Sequence, residues 1–413
     1  MSKTKDHPIC QLCGQCLDVC PVFLATGKEE LSPRAKQHML RALREQPGTL
    51  DTAPARQLAD RCLSCGRCAK ACPRNLSVPE VLAALRAEHP NWQQWVWQRW
   101  IEHGRLLWPA LAQVARLVPA ALPPEGLQHM LRSAQSMLDA PANAPWLAAS
   151  YAHKPGQGQR VLLFAGCTAR RIRPRWLHTA LTLLQGLGYA PDSPEAFSCC
   201  GATLEHAGIP AGAAEARARN MAVWRTAGKP LLVTFCATCH HGLASYPDDD
   251  GLGWEQGEQA QWRNALRPLS SLFTSEMFTV TDAAPARIAY HQPCHWQGKD
   301  PDLAFLRTAL GARLVPPSGR KCCGMGGVLQ LADAALSQTV ATDCWEALWP
   351  TAQRTPAPVA ASATGQDVPA GTAVPAATPT VTALTGCSGC TLQLAATAPA
   401  GASVRHWLDV VQA

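Results

Sequence analysis

The run RVLLFAGC, Arg160–Cys167, comes back as RIAYHQPC, Arg287–Cys294. Behind the first follow FSCCG, with Cys199, Cys200 and Gly201, and PLLVTFCATC, with Cys236 and Cys239. Behind the second follow RKCCG, with Cys322, Cys323 and Gly324, and PTVTALTGCSGC, with Cys387 and Cys390. Each copy thus carries its cysteines in the order C, CC, CxxC, which marks an internal repeat. The apolar, partly β-branched runs ending in cysteine read as strands, and the intervening LHTALTLLQGLGY and LAFLRTALGARL read as helices. Alternation of that kind predicts an α/β domain with a parallel sheet, built twice. Thiols at the carboxyl ends of neighbouring strands converge where open α/β sheets commonly hold ligands.

Working outward, the second copy has a longer gap, filled by TAQRTPAPVAASATGQDVPAGTAVPAATPT at about 351–380. This Ala/Pro/Thr tract has almost no charge and no periodic apolar face, so a mobile surface insertion is expected. The repeats are assigned to residues 151–283 and 284–413.

Residues 1–90 hold a different pattern, CQLCGQCLDVCP at Cys10–Pro21 and CLSCGRCAKACP at Cys62–Pro73. In two-cluster ferredoxins three thiolates of such a motif bind one 4Fe-4S cube, and the fourth, ahead of proline, serves the other. One cluster would take Cys10, Cys13, Cys16 and Cys72, and the other Cys62, Cys65, Cys68 and Cys20. Zinc is the alternative, though zinc sites rarely use this spacing twice. The forty-one residues between Cys20 and Cys62 include the periodic run LSPRAKQHMLRALREQ, which predicts a mainly helical ferredoxin domain. Two such clusters form a relay of single electrons, with the chemistry beginning and ending elsewhere.

Residues 91–150 form a tryptophan-rich link, beginning NWQQWVWQRWIEHGRLLWPALAQVARLV. On a helical wheel Gln94, Gln98, Glu102 and Arg105 gather on one side and Trp92, Val96, Trp100 and Leu107 on another. The segment is expected either to pack on its own domain or a partner, or to touch a lipid surface.

The chain has 413 residues, enough for several cored domains, and 19 cysteines, grouped as ligands rather than spread as a disulfide framework. The opening MSKTKDHPIC has no apolar signal segment, so a reducing, cytoplasmic setting is expected, with peripheral contact to the cytoplasmic membrane as the other placement. No apolar run is long enough to span a bilayer. The net charge of +7 is spread thinly, which gives nucleic-acid binding no support and serves to offset thiolate-bound clusters.

Five thiolates per repeat exceed the four that zinc or a cubane needs. An adjacent pair such as Cys199 and Cys200 could place one sulfur between irons of a non-cubane cluster, with the following glycine letting backbone approach it. One or two further iron–sulfur clusters are expected. Zinc in one repeat is the alternative, with nitrogen from His240 or His295 beside Cys239 or Cys294. Cys344 stands outside every motif and is expected to pack as a small apolar side chain.

Together these motifs resemble the heterodisulfide reductase-related iron–sulfur family with CCG domains, over nearly the whole chain. That family includes the iron–sulfur subunits of glycolate oxidase and of anaerobic glycerol-3-phosphate dehydrogenase, lactate-utilisation proteins and heterodisulfide reductases. CCGATLEHAG, ARARNMAVW and the tail SVRHWLDVVQA resemble the glycolate oxidase iron–sulfur protein most. The resemblance implies ligand roles for Cys167, Cys199, Cys200, Cys236 and Cys239, and for Cys294, Cys322, Cys323, Cys387 and Cys390. The tail, with Arg405, His406 and Trp407, is expected as a docked terminal helix.

No GxGxxG, P-loop or flavin fingerprint occurs, so hydride chemistry needs a flavoprotein partner. Three functions stand as readings, the first implied by the resemblance, the second by the completeness of both five-cysteine sets and the third by zinc as the alternative metal. The first is an electron-transfer subunit of a 2-hydroxyacid dehydrogenase of the glycolate oxidase kind, delivering to quinone or another membrane acceptor. The second is a reductase cleaving a disulfide at a non-cubane cluster. The third is a ferredoxin scaffold with structural zinc in its repeats.

Overall fold

Pro21, directly behind the last cysteine of the first motif, starts helix Pro21–Thr26. Proline suits a first helical turn because its missing N–H would have had no partner there. Helices Pro33–Glu45, Thr52–Asp60, Arg67–Ala71 and Val78–Glu88 complete a helical amino-terminal domain, packed around Leu40, Ala59, Leu82 and Leu85. Inside it the buried Arg56 and Arg86 share Asp60, at 3.0 and 3.2 Å, which neutralises a carboxylate that burial alone would make costly. The computed structural model describes residues 10–45, 52–118, 125–138, 144–315, 318–353 and 381–413.

Eleven short strands follow: β1 (Leu147–Ala149), β2 (Arg160–Phe164), β3 (Ala190–Asp192), β4 (Leu231–Thr234), β5 (Leu266–Pro268), β6 (Phe278–Val280), β7 (Ile288–Tyr290), β8 (Leu314–Val315), β9 (Val381–Thr385), β10 (Ala402–His406) and β11 (Val411–Gln412). The first repeat forms a parallel sheet in the order β3-β2-β4-β5. The second forms another in the matching order β8-β7-β9-β10, also parallel. Central strands are almost wholly buried, as the continuous apolar runs VLLF and VTALT require of strands covered on both faces. A third sheet sets β1 between β6 and β11, tying the chain ahead of the first repeat to the end of the second. The architecture is the expected helical ferredoxin domain followed by two α/β cysteine-rich repeats.

Two local expectations change. The tail is not a helix, because Arg405 and His406 end β10 and Trp407–Val410 is a 3₁₀ turn whose Trp407 is buried. On helix Trp92–Glu102 the expected faces hold only in part: Gln94 is buried and donates to the Gly208 carbonyl and Trp92 stands 71% exposed, whereas Trp100 turns inward and Glu102 outward. A buried backbone acceptor outweighs the apolar character of an indole left at the rim. Gly201 and Gly324 lie in the left-handed region at φ 85° and 88°, their bare Cα atoms against helices Pro210–Thr226 and Ala334–Leu348, and the Gly324 N–H reaches Cys322 Sγ at 3.5 Å. A Cβ on Gly324 would stand 2.5 Å from the Ser337 carbonyl oxygen, and one on Gly201 3.2 Å from that of Ala213. The insertion expected at about 351–380 lies outside the described residues apart from the turn Thr351–Gln353. Among the described residues, no helix is long and apolar enough to cross a membrane.

Candidate metal centre

In both repeats the CxxC pair sits at the start of a helix that follows a central strand. Cys236 caps helix Ala237–Ala244 behind β4, and Cys387 caps helix Ser388–Ala396 behind β9. Spacing of three along a helix turns Cys239 and Cys390 to the same side as their caps. The CC pairs approach from loops, and Cys167 and Cys294 sit just past β2 and β7.

All ten repeat cysteines line one cavity of about 140 Å³. Their sulfurs touch in a single file. Within the first repeat it runs from Cys167 to Cys199, Cys200, Cys239 and Cys236. It crosses to Cys387 and continues through Cys390, Cys323 and Cys322 to Cys294. The Cys323–Cys390 contact is 3.3 Å. Read from the crossing outward, both halves have the same order, so the file has a pseudo-twofold centre at Cys236–Cys387. Backbone supports the crossing, since the Ala237 N–H donates to the Gly386 carbonyl at 2.9 Å and the Ser388 N–H to Cys236 Sγ at 3.4 Å.

Hydrogen bonding along the file drives the acidities of neighbouring thiols apart. Hydrogen bonds from Cys199 and Cys239 hold Cys200 well below the ordinary thiol range, those from Cys239 and Cys387 do so for Cys236, and those from Cys294 and Cys323 for Cys322. A buried set of contiguous soft donors, several ready to be thiolates, fits iron–sulfur chemistry and would be a poor arrangement for inert side chains.

The amino-terminal motifs divide into two groups. Cys20, Cys62, Cys65 and Cys68 line a small cavity with Lys36, the set anticipated for one cluster. Burial, and then Cys10, pushes the Cys16 thiol up, with Cys13 and Cys20 adding to the effect. Cys72, half-buried, ends helix Arg67–Ala71, its N–H donating to the Ala69 carbonyl at 3.1 Å.

This domain meets the second repeat at the thiol file. Cys65, pushed up to about 12 by burial and then by Cys322, is electrostatically coupled to the second CC pair. Gly326 and Gly327, just behind that pair, press against the Leu63 and Cys62 carbonyls so closely that a Cβ on either would collide. Arg67 donates to the Arg320 carbonyl at 2.6 Å and Lys70 to that of Gln297 at 2.6 Å. Elsewhere the cavity is walled by Trp97, Trp100, Ile101, Trp108 and Met137. Trp100 and Trp108 stack at 5.6 Å, and Arg171 lies 4.9 Å over Trp108.

Histidines border the site unequally. His295 lines the thiol cavity and also an outer cleft of about 570 Å³ with His240, His241 and Lys299. Its Nδ1 lies 2.9 Å from Thr238 Oγ1, which is 3.2 Å from Cys387 Sγ. His240, proposed from sequence as a nitrogen donor, faces the outer cleft with Nδ1 on Thr234 Oγ1 at 3.2 Å. Sequence reading missed His206, which lines the cavity, and His291. Cys344 packs in the apolar core as expected, and its Sγ in addition lies 3.4 Å from His291 Nδ1, a contact the sequence did not suggest.

Residues 8–76 match the 4Fe-4S dicluster domain, and residues 161–244 and 288–355 match the cysteine-rich domain. The chain is an iron–sulfur protein of this dicluster and cysteine-rich type. It is similar to the probable glycolate oxidase iron-sulfur subunit of Bacillus subtilis (strain 168), at 23% identity over 80% of this chain and 81% of that one. The glycolate oxidase iron-sulfur subunit of Escherichia coli (strain K12) is 23% identical over 82% and 84%. Lactate utilization protein A of Geobacillus thermodenitrificans (strain NG80-2) is 29% identical over 43% of this chain and 77% of that protein. The first cysteine-rich match spans β2 to β4 with all five cysteines of its repeat, the second spans β7 and β8 with Cys294, Cys322 and Cys323 and stops short of β9, and the dicluster match covers every cysteine of the amino-terminal domain.

Proposed function

We propose that this chain is the iron–sulfur electron-transfer subunit of a flavin-dependent 2-hydroxyacid dehydrogenase complex of the glycolate oxidase kind. It would carry electrons from a flavoprotein partner towards a quinone or another membrane-bound acceptor. The observation that carries this reading is the continuity of candidate ligands from Cys65, through Cys322, along the ten-thiol file to the tryptophan wall. Clusters held by Cys10, Cys13, Cys16 and Cys72, by Cys20, Cys62, Cys65 and Cys68, and by the two five-thiol sets would each take up and release one electron. The residues around them keep water out: Trp97, Trp100 and Trp108 cover one side, and the Gly326–Gly327 backbone seals the seam to the dicluster domain.

A membrane acceptor is supported by the outer face of the same tryptophan-rich helices. Trp92, Trp95, Leu106, Leu111, Val114 and Leu117 are exposed there beside Arg99, Arg105 and Arg116. Apolar anchors flanked by cations suit an anionic lipid surface.

The test is anaerobic purification of the chain with its partners, followed by addition of glycolate. Bleaching of the visible iron–sulfur absorbance, with flavoprotein present, is expected. No bleaching by glycolate, lactate or glycerol 3-phosphate in an iron-replete sample would overturn the reading, and about eight irons with added zinc would point to the scaffold instead. A disulfide reductase is the second reading, favoured by the outer cleft, which would admit a substrate as far as His295.

A further inference from the structure

Three residues ahead of Cys167 the first repeat has Phe164, and three ahead of Cys294 the second has His291. The positions correspond at the ends of β2 and β7, and both side chains are buried. Phe164 packs edge-on against Phe197 at 5.2 Å and has nothing to offer a metal. His291 is 3% exposed, and one of its ring nitrogens and the sulfurs of Cys323 and Cys390 all lie within 4.8 Å of one another. Its Nδ1 faces Cys344 Sγ at 3.4 Å, while its Nε2 is buried without a hydrogen-bond partner.

We propose that His291 is a nitrogen ligand of the metal centre of the second repeat, bound through Nε2, and that Cys344 is the positioning residue that fixes its ring. This rests on the reading that the second repeat holds an iron–sulfur cluster. A buried polar nitrogen with no partner is uncommon and calls for an acceptor of its lone pair, which iron supplies and the apolar surroundings do not. Histidines that bind metal generally engage the other ring nitrogen with a neighbour that sets tautomer and orientation. Cys344 Sγ is placed to accept from Nδ1–H and so leaves Nε2 free to coordinate. Cys344 stands outside the group of donor atoms that His291, Cys323 and Cys390 form, which leaves it a supporting role rather than a ligand's. Two residues outside every cysteine motif thereby share one task.

The experiment uses the whole chain, purified anaerobically with its partners, after growth with natural or ¹⁵N-labelled histidine. Iron and labile sulfide are counted, and the reduced protein is examined by pulsed electron paramagnetic resonance. The expected result is a strong, directly bound nitrogen coupling that shifts with the label. It should be lost in His291→Gln and in His291→Phe, the residue of the first repeat, while iron content holds. In Cys344→Ala the coupling should persist but broaden, and Cys344→Ser should restore its sharpness. Full iron with only weak nitrogen coupling in the unmutated protein, or a strong coupling that survives His291→Phe, overturns the ligand assignment alone. Iron no greater than the dicluster domain holds would overturn the cluster reading beneath it.

Discussion

The two cysteine-rich repeats share strand order, cysteine order and a common cavity, yet they look out on different neighbours. The first faces the tryptophan wall, with Phe164 behind its leading cysteine. The second brings its CC pair to the dicluster domain, with His291, Cys344 and Arg67 close by, whereas the first touches that domain through the His206 carbonyl, which accepts from Arg86. The loops after CCG show the same divergence. Where the first repeat continues with Thr203 and Leu204, the second has Gly326 and Gly327, because there the backbone itself must seat against Cys62 and Leu63. Duplication preserved what binds and let what surrounds the binding site change, which is how one donor pattern comes to serve two positions along a route.

The hardest test of that division is to remove a thiol from each half. Cys322→Ser breaks the file where it meets the dicluster domain, and turnover by the assembled complex should fall by about a hundredfold or more, since loss of a ligand should exceed the effect of losing its supports. Cys199→Ser should fall as far, but with the dicluster domain still reducible in both variants. Unchanged turnover in either one, with its cluster shown by spectroscopy to be gone, would take that half off the route.

A smaller effect probes the seam alone. Gly326→Val places a side chain where the Leu63 carbonyl already sits, and overpacking of this kind costs about 1–3 kcal/mol. Thr203→Val, at the matching position of the first repeat, should cost less. Thermal melting of the two variants side by side measures the difference. Equal losses would mean that the glycine pair reflects nothing about the seam.

How far this contrast was legible beforehand follows from range in the chain. The repeat, its parallel sheets and the cysteine groups depend on local periodicity and short spacings, so they could be read directly. The single file could not, because the Cys236–Cys387 contact joins residues from different repeats and only the tertiary fold brings them together. The burial of Gln94 was hidden for the same reason, since its partner, the Gly208 carbonyl, lies in another domain. His291 left a signal that was passed over: YHQPC differs from LFAGC by a histidine where its twin has phenylalanine. Cys344 left none, because a lone cysteine on a helix looks the same whether it packs or positions.

The smallest predicted effect uses acid to compare the repeats, each of which buries a carboxylate away from the thiols. In the first repeat Arg225, and then Lys229, hold Glu258 down at about 2, below its ordinary 4.5. Its contribution is therefore complete above pH 4.5 and is lost as pH falls towards 2. Glu258 is itself buried, but Arg225 and Lys229 are a quarter to a third exposed, which trims the pair to about 1–2 kcal/mol. In the second repeat burial pushes Asp300 up to about 6 from 3.8, although the Leu303 N–H and Tyr290 hydroxyl donate to it. Here the folded state holds the proton more tightly, so stability is greatest below pH 3.8 and declines as pH rises through 6. Melting of Glu258→Gln and Asp300→Asn against the parent at each pH cancels any acid loss common to all three. The Glu258→Gln difference should shrink on acidification from pH 4.5. Asp300→Asn should gain on the parent between pH 4 and 6, and parallel curves for both variants would show that the two repeats bury their carboxylates alike.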